Sequence, residues 1–538
     1  MTNAGPLPGN KDKEHLKSYA GRFPDGAPTS WKVSYAANSW SVTFPNGVCK
    51  GMPVPSSPAK WDEAADVDAA STILWWRSLR YLPSLGRGGV IAWIDIESIL
   101  NAFNEWMARR GEDRISLVSG SLDHQIALRL RAMCTLRSLL ADSSLSVQTA
   151  SRLEKAIALR VREDLEIVEE FDLFAPNNHG IMLAIGVLHA TAVFPDVVAA
   201  DVAGVWVRKL DSALSEIVDE QGLVPENTVS YQIFYVTLLE QILDFGRWAD
   251  VAGLYGGHIH ELYLRARSAV ERLLLPNGAV PPLGDSAGGM QNTYSAREGV
   301  LWSPSNGIYV SSDGVDYLLV KAGYRGVIHK QMDDGSFIGW WNGIFLVNDG
   351  GLVSYDRGDP EALALRGQRG HSGVFLRRFD GMDASAVVSY SKNLSRIGGQ
   401  LCSHSFGLGG PRVVARVSYD GVDCFERTVC RPAGGHITVA DRYLGSEPEA
   451  VVIRFVLDPR AKLESATATC VSFVVEGCRV KYTFGKAGEI ESGDWHVRLG
   501  SLMIAAGPYR KTAAPCIEVL GVAEPGCQLP SCDVRAEP

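Results

Sequence analysis

The chain has no pair of cysteines at C-x-x-C spacing and nothing like a zinc ribbon. Its ten cysteines are scattered, most of them at or beyond Cys402 in strand-like stretches such as Thr469-Cys470-Val471-Ser472-Phe473. They read as free thiols that pack as small apolar residues. Cys527 and Cys532 stand near each other in sequence, and spacing leaves a pairing between them open. A run of about 18 uninterrupted apolar residues is also missing, so no bilayer-spanning helix is expected. The polar start, with Lys11, Asp12, Lys13 and Glu14, is followed by no apolar leader segment. As given, the chain reads as cytoplasmic, or as periplasmic or secreted if a leader has been removed. Basic charge is not in excess: 52 Lys and Arg stand against 61 Asp and Glu, a net charge of -9. That balance argues against nucleic acid or a membrane surface as partner.

What is present is an ordinary globular composition, 46% hydrophobic and 21% charged, over 538 residues. That length exceeds a usual single core and predicts at least two domains. Residues 1–60, rich in Gly, Pro and Ser around a short alternating stretch from Trp40 to Phe44, read as an extended arm. Residues 61–300 carry helical patterns. Between Asp123 and Asp142, Ile126, Leu130, Met133, Leu136 and Leu140 recur at spacings of three and four, which places one apolar stripe on a helix. Another helix is expected after Gly180, and a third from Thr228 through Leu243 with Thr228 as its N-cap. Beyond residue 300 short β-rich runs alternate with Gly and Asp, as in Tyr317-Leu318-Leu319-Val320 and Val451-Val452-Ile453-Arg454-Phe455-Val456. Residues 301–538 are therefore expected to form a large antiparallel β-sandwich. Helices followed by strands indicate two domains, not an alternating βαβ fold.

Four polar clusters carry the chemistry: Asn177-Asn178-His179-Gly180, Glu226-Asn227-Thr228-Val229-Ser230-Tyr231, His329-Lys330-Gln331-Met332-Asp333-Asp334, and Arg369-Gly370-His371. Amide, imidazole and phenol groups suit β-elimination on a uronic-acid polysaccharide. That reaction needs a carboxylate quietened, a proton removed from C5 and a proton given to the leaving oxygen. Order and wording resemble the heparinase II/III-like polysaccharide lyases, whose patterns run N-N-H-G, E-N-S-x-x-Y-H, H-K-H-x-D-x-x-S-F and x-H-N. Three departures stand out: Gln232 and Gln331 where His is usual, and Ser372 where Asn is usual. Asp123-His124 followed by Arg129 is a further echo, and the resemblance runs over roughly residues 120 to 375.

The resemblance implies an N-terminal α/α toroid, an incomplete barrel, ahead of the sandwich. It implies that Asn178 and His179 neutralise the uronate carboxylate and that Tyr231 and His329 exchange the protons. An unperturbed pKa of about 6.5 suits His329 to base work, whereas Tyr231, at about 10, needs nearby positive charge for that role. Glu226, Arg129, Asp285, Arg325 and Trp340 are candidates for sugar contact. Gln331, Asp349 and His371 fall where some relatives hold a structural metal, which would be calcium or zinc in the sandwich. The amide at Gln331 weakens such a site for zinc. Lys321, Arg325, Lys330, Arg357, Arg366 and Arg369 would supply a local basic cleft. The expected partner is an acidic polysaccharide, and the oligomeric state is left open. Two other readings share these residues: a catalytically weakened polysaccharide-binding or exopolysaccharide-assembly protein, and a glycoside hydrolase pairing Asp285 with Glu226 or Asp333.

Overall fold

The structure, a computed structural model, describes residues 13–23, 32–36, 39–43, 52–55, 57–63, 70–87, 90–109, 122–354, 359–381, 396–407, 409–485, 495–507 and 510–537. It divides into two compact units, Met1–Ile217 with Leu238–Leu262 and Val218–Thr237 with Tyr263–Pro538.

The first unit is helical. Helix Leu122–Ala141 buries the predicted stripe, with Ile126, Leu130, Met133 and Leu136 fully inaccessible, and it buries its polar face as well. It packs against helices Lys13–Arg22, Val147–Glu170 and Asn178–Val193. Polar groups at such a position need partners inside the protein. Arg129 donates to both oxygens of Asp164, at 2.8 and 2.6 Å, and Ser138 Oγ donates to the carbonyl of Leu16 at 2.7 Å. Helix Asn178–Val193 is apolar nearly all round, as a helix buried on every side must be.

The first sixty residues differ from an extended arm. They contain helix Lys13–Arg22 and a small antiparallel sheet of Lys32–Ala36, Ser39–Thr43 and Met52–Pro53. The reason is aromatic spacing: Tyr19 and Phe23, one helical turn apart, both bury against Trp248, and Tyr19 Oη lies 2.5 Å from His189 Nδ1.

Among the described residues, the second unit holds three antiparallel sheets. A five-stranded meander runs through Gly299–Ser303, Ile308–Ser312, Asp316–Lys321, Ser336–Trp341 and Ile344–Val347. An eight-stranded sheet begins at edge strand Ile397–Gly407 and ends at Lys462–Ala466, and a four-stranded sheet is ordered Trp495–Ala505, Lys511–Ala523, Glu449–Val456, Val374–Leu376. All three contribute to one apolar core, with Leu318 and Phe337 from the first, Phe425 and Ile437 from the second, and Ile453, Phe455 and Val519 from the third. Alternating burial along Gly410–Tyr419 shows one face inward and one outward. Helix His258–Leu273 is divided, and its part from Tyr263 on belongs to this unit, as do residues 218–237, so the boundary departs from residue 300. Cys527 and Cys532 are both free thiols.

Candidate active site

In the second unit, two separated segments, one carrying Glu226 and Tyr231 and the other Asp285, converge on His329. Helix Val229–Ala249 presents Tyr231 two residues after its start, and the Tyr231 ring lies over the His329 ring with centroids 3.9 Å apart and planes 31° apart. His329 Nδ1 is 2.8 Å from Asp285 Oδ2, and its Nε2 is 3.7 Å from Glu226 Oε2. Glu226 in turn accepts a 2.9 Å hydrogen bond from Tyr235 Oη, one helical turn beyond Tyr231. A phenol, an imidazole and two carboxylates thus meet in one place, with Glu226 and Asp285 buried and His329 and Tyr231 only partly so.

The surrounding loops hold this geometry at some cost. His329 has φ of 55° and Asn227 φ of 57°, left-handed values that non-glycine residues rarely adopt and that cost about 1–3 kcal/mol each. The Asn227 side chain donates to the carbonyls of Gly326 and Ile328, at 2.7 and 2.9 Å, and so clamps the chain leading into His329. Lys321 Nζ donates back to Asn227 Oδ1 at 3.2 Å. Burial pushes the Lys321 ammonium down to about 8. On the other flank of His329, Lys330 is paired with Asp333 at 2.7 Å and Asp334 at 2.8 Å. Burial disfavours the Lys330 charge, yet the two carboxylates outweigh it and hold the ammonium above its usual value.

The first unit carries a separate cluster. Asn177 caps helix Asn178–Val193, its side chain accepting from the Gly180 amide at 3.0 Å, and Asn178 Oδ1 accepts from the His179 amide at 3.0 Å. Gly180 is required there, because a Cβ would sit 1.7 Å from the Ala175 carbonyl oxygen. His179 Nδ1 lies 3.4 Å from Asp123 Oδ2, and the His124 and His179 rings are 4.8 Å apart. Burial favours a neutral Asp123, but His179 and the His124 amide outweigh it and hold the carboxyl below its usual value. Burial first, and then His179, push the His124 imidazole down to about 4. Two imidazoles and the Asp123 carboxylate thus gather at a helix N-terminus.

Several sequence expectations change. Arg129, a candidate for sugar contact, is only 1% exposed; it donates to Asp164 and to the Arg77 carbonyl and lies over the Phe103 ring. Trp340 is buried in strand Ser336–Trp341 opposite Tyr317, so its ring has no face for a sugar. Glu226 and Asp285 face His329 instead of solvent. Arg325 is exposed, whereas Lys321 and Lys330 of the expected basic cleft are buried, and Arg357 lies outside the described residues.

The three expected metal ligands are all buried. Gln331 donates its amide to Asp285 Oδ1 at 2.7 Å, while Asp349 faces His371 Nδ1 at 3.0 Å and accepts from the Gly351 amide. Among the described residues no three His, Cys, Asp or Glu side chains gather as metal ligands do. Burial disfavours a charged His371, but Asp349 outweighs it and raises the imidazole above its usual value.

The departures at Gln232 and Ser372 are structural. Gln232 accepts from the Val224 amide at 2.9 Å and donates to the Gly222 carbonyl at 2.8 Å, fixing the turn before Glu226. Ser372 Oγ donates to the Asn348 carbonyl and accepts from the Val456 amide, joining two segments of the sandwich. The contribution of His124 escaped sequence reasoning because its partner, His179, starts a different helix. The only signal was the Asp-His pair at a helix start.

Residues 296–512 match the family described as Heparinase II/III-like, C-terminal. No curated protein matches the chain in sequence. Among solved structures, a heparinase III with methylated lysines is 13% identical with a TM-score of 0.70, covering 100% of this chain and 86% of that one. A mutant heparan sulfate lyase from Pedobacter heparinus is 14% identical with a TM-score of 0.67, covering 88% of this chain and 77% of that one. A chondroitinase AC lyase is more distant, 8% identical with a TM-score of 0.50, covering 98% and 81%. The likeness extends over both parts, helical α/α toroid and antiparallel sandwich. Residues 296–512 are thus similar to the heparinase II/III-like C-terminal domain, and the fold of the chain is that of the heparinase III structures.

Proposed function

We propose that the chain is a polysaccharide lyase acting on a uronic-acid-containing polysaccharide by β-elimination. The observation that carries this reading is the Tyr231–His329 ring contact at 3.9 Å, flanked by Glu226 and Asp285. One partner of the pair takes the C5 proton as the C4–C5 double bond forms, and the other gives a proton to the glycosidic oxygen as the C4–O bond breaks. The syn or anti geometry of the substrate decides which does which. Asn178 and His179 are assigned to the uronate carboxylate, whose quietening stabilises the enolate-like intermediate. Their support is the capped helix start and the neighbouring imidazole of His124.

An acidic substrate is also in keeping with proteins of this fold that are named heparan sulfate lyase and chondroitinase AC lyase. Hydrolysis is disfavoured because Glu226 and Asp285 are both turned to His329 and Asp333 is paired with Lys330, so these three carboxylates are engaged with protein groups. The test is ultraviolet absorbance of unsaturated uronate during incubation with heparan sulfate, chondroitin sulfate, hyaluronan and alginate. Tyr231→Phe should lower the rate on the responding polymer by about 10²- to 10⁴-fold, as expected when a proton-transfer group is removed. New reducing ends without absorbance would instead mark a hydrolase, and saturable binding without either would mark a binding protein.

A further inference from the structure

We propose that Asp285 is a positioning residue: it takes the Nδ1 hydrogen of His329, fixing the tautomer and orientation of the ring so that the Nε2 edge serves proton transfer beside Tyr231. The part concerning proton transfer rests on the lyase reading; the part concerning the tautomer does not.

Both oxygens of Asp285 are occupied. Oδ2 is 2.8 Å from His329 Nδ1 and 3.6 Å from Arg366 Nη2, and Oδ1 accepts from Gln331 Nε2 at 2.7 Å. The side chain is buried, so its carboxylate faces these protein groups and not open solvent. A carboxylate only accepts hydrogen bonds, so the hydrogen between them belongs to Nδ1. In a neutral ring that assigns the lone pair to Nε2, the nitrogen 3.7 Å from Glu226 Oε2.

The backbone around Asp285 is fixed to match. Gly284 has φ of +56°, and a Cβ there would sit 2.3 Å from the Asn227 carbonyl oxygen. Ser286 Oγ is 2.7 Å from Thr228 Oγ1 and accepts from the Ser230 amide at 3.0 Å. Residues on both sides of Asp285 are therefore tied to the segment that carries Tyr231, while its carboxylate holds the ring that lies over Tyr231. Gln331, two residues from His329, gives the same carboxylate a second anchor within the His329 loop.

The test begins with the full-length protein labelled with ¹⁵N-histidine. Multiple-bond ¹H–¹⁵N spectra of the imidazoles are recorded from pH 6 to 9, with the His329 signals assigned by their loss in His329→Gln. The Nδ1–H tautomer is expected for His329, and Asp285→Asn, whose amide can donate to Nδ1, should convert it to Nε2–H. A wild-type ring in the Nε2–H form, or one protonated on both nitrogens throughout the range, overturns the proposal. The wild-type spectrum decides this even if Asp285→Asn fails to fold.

On a responding polysaccharide, Asp285→Asn should lower kcat by about 10²- to 10⁴-fold with KM within about threefold of the wild type, the pattern of a misoriented base. A raised KM with kcat retained would return Asp285 to sugar binding. If no polysaccharide in the panel is cleaved, the lyase reading fails while the tautomer measurement still decides the role of Asp285.

Discussion

Replacing Arg129 by Ala leaves Asp164 without the guanidinium that holds both its oxygens. Asp164 is fully buried, and its remaining cationic neighbour, Arg160 at 3.1 Å, is equally buried. Removing one partner of a buried pair costs about 3–5 kcal/mol, because the other charge stays desolvated. Arg129→Ala should therefore lower the unfolding free energy of the helical unit by about that amount in urea titration. The KM of whatever protein remains folded should stay unchanged. A raised KM without loss of stability would restore the sugar-binding role that its position after Asp123-His124 suggests. At this scale the sequence was informative about residue type and poor about partner. Gln232, Gln331 and Ser372 look like losses when compared with a family pattern, yet each is buried and hydrogen-bonded. A substitution that fills a hydrogen-bonding position is invisible until the groups it satisfies are brought beside it.

Among elements, helix Val229–Ala249 is the most telling. Its apolar face was legible, because Leu238, Leu239 and Ile242 recur at helical spacing and all are buried. Its start was legible only in part. Thr228 does immediately precede the helix, but the Ser230 amide is met by the hydroxyl of Ser286, which comes from a loop more than fifty residues later. Local pattern reveals a cap only when the capping group lies in the same segment. Ser286→Ala should therefore behave as the loss of an N-cap, destabilising the protein by about 0.5–2 kcal/mol, whereas Thr228→Val keeps the Ser286 acceptor for the Ser230 amide. Chemical denaturation of the two variants checks the order. Hydrogen exchange at Ser230 and Tyr231 should rise in Ser286→Ala before it rises elsewhere in the helix. The same loop carries Asp285, so activity on a responding polymer should fall in Ser286→Ala by more than stability alone explains. The pairing of Asp285 with His329 was likewise illegible, since the two stand 44 residues apart in sequence and are joined by loops of no regular period.

For the molecule as a whole, three histidines contribute to stability with opposite pH dependence, His124 and His189 in the first unit against His371 in the second. In the first unit, burial holds His189 well below its ordinary 6.5, and burial with His179 brings His124 down to about 4. Both rings are neutral when folded and take up protons on unfolding, so from pH 6.5 down to about 4 the unfolded state binds more protons. Stability of this unit therefore falls as the solution is acidified through that window. In the second unit, His371 is raised by Asp349 and binds its proton more tightly when folded. Its contribution is complete below pH 6.5 and is lost as pH rises through the folded value, the reverse sign. Helices Leu122–Ala141 and Asn178–Val193, which carry His124 and His189, should then lose amide protection on going from pH 7 to pH 5, after correction for intrinsic exchange rates. The strands flanking His371 should not. His189→Gln keeps an acceptor for Tyr19 Oη and removes the titration, so its loss of protection at pH 5 should be smaller than that of the wild type. Equal loss in both units, or an unchanged response in His189→Gln, would mean that carboxylates and not these imidazoles set the acid limit.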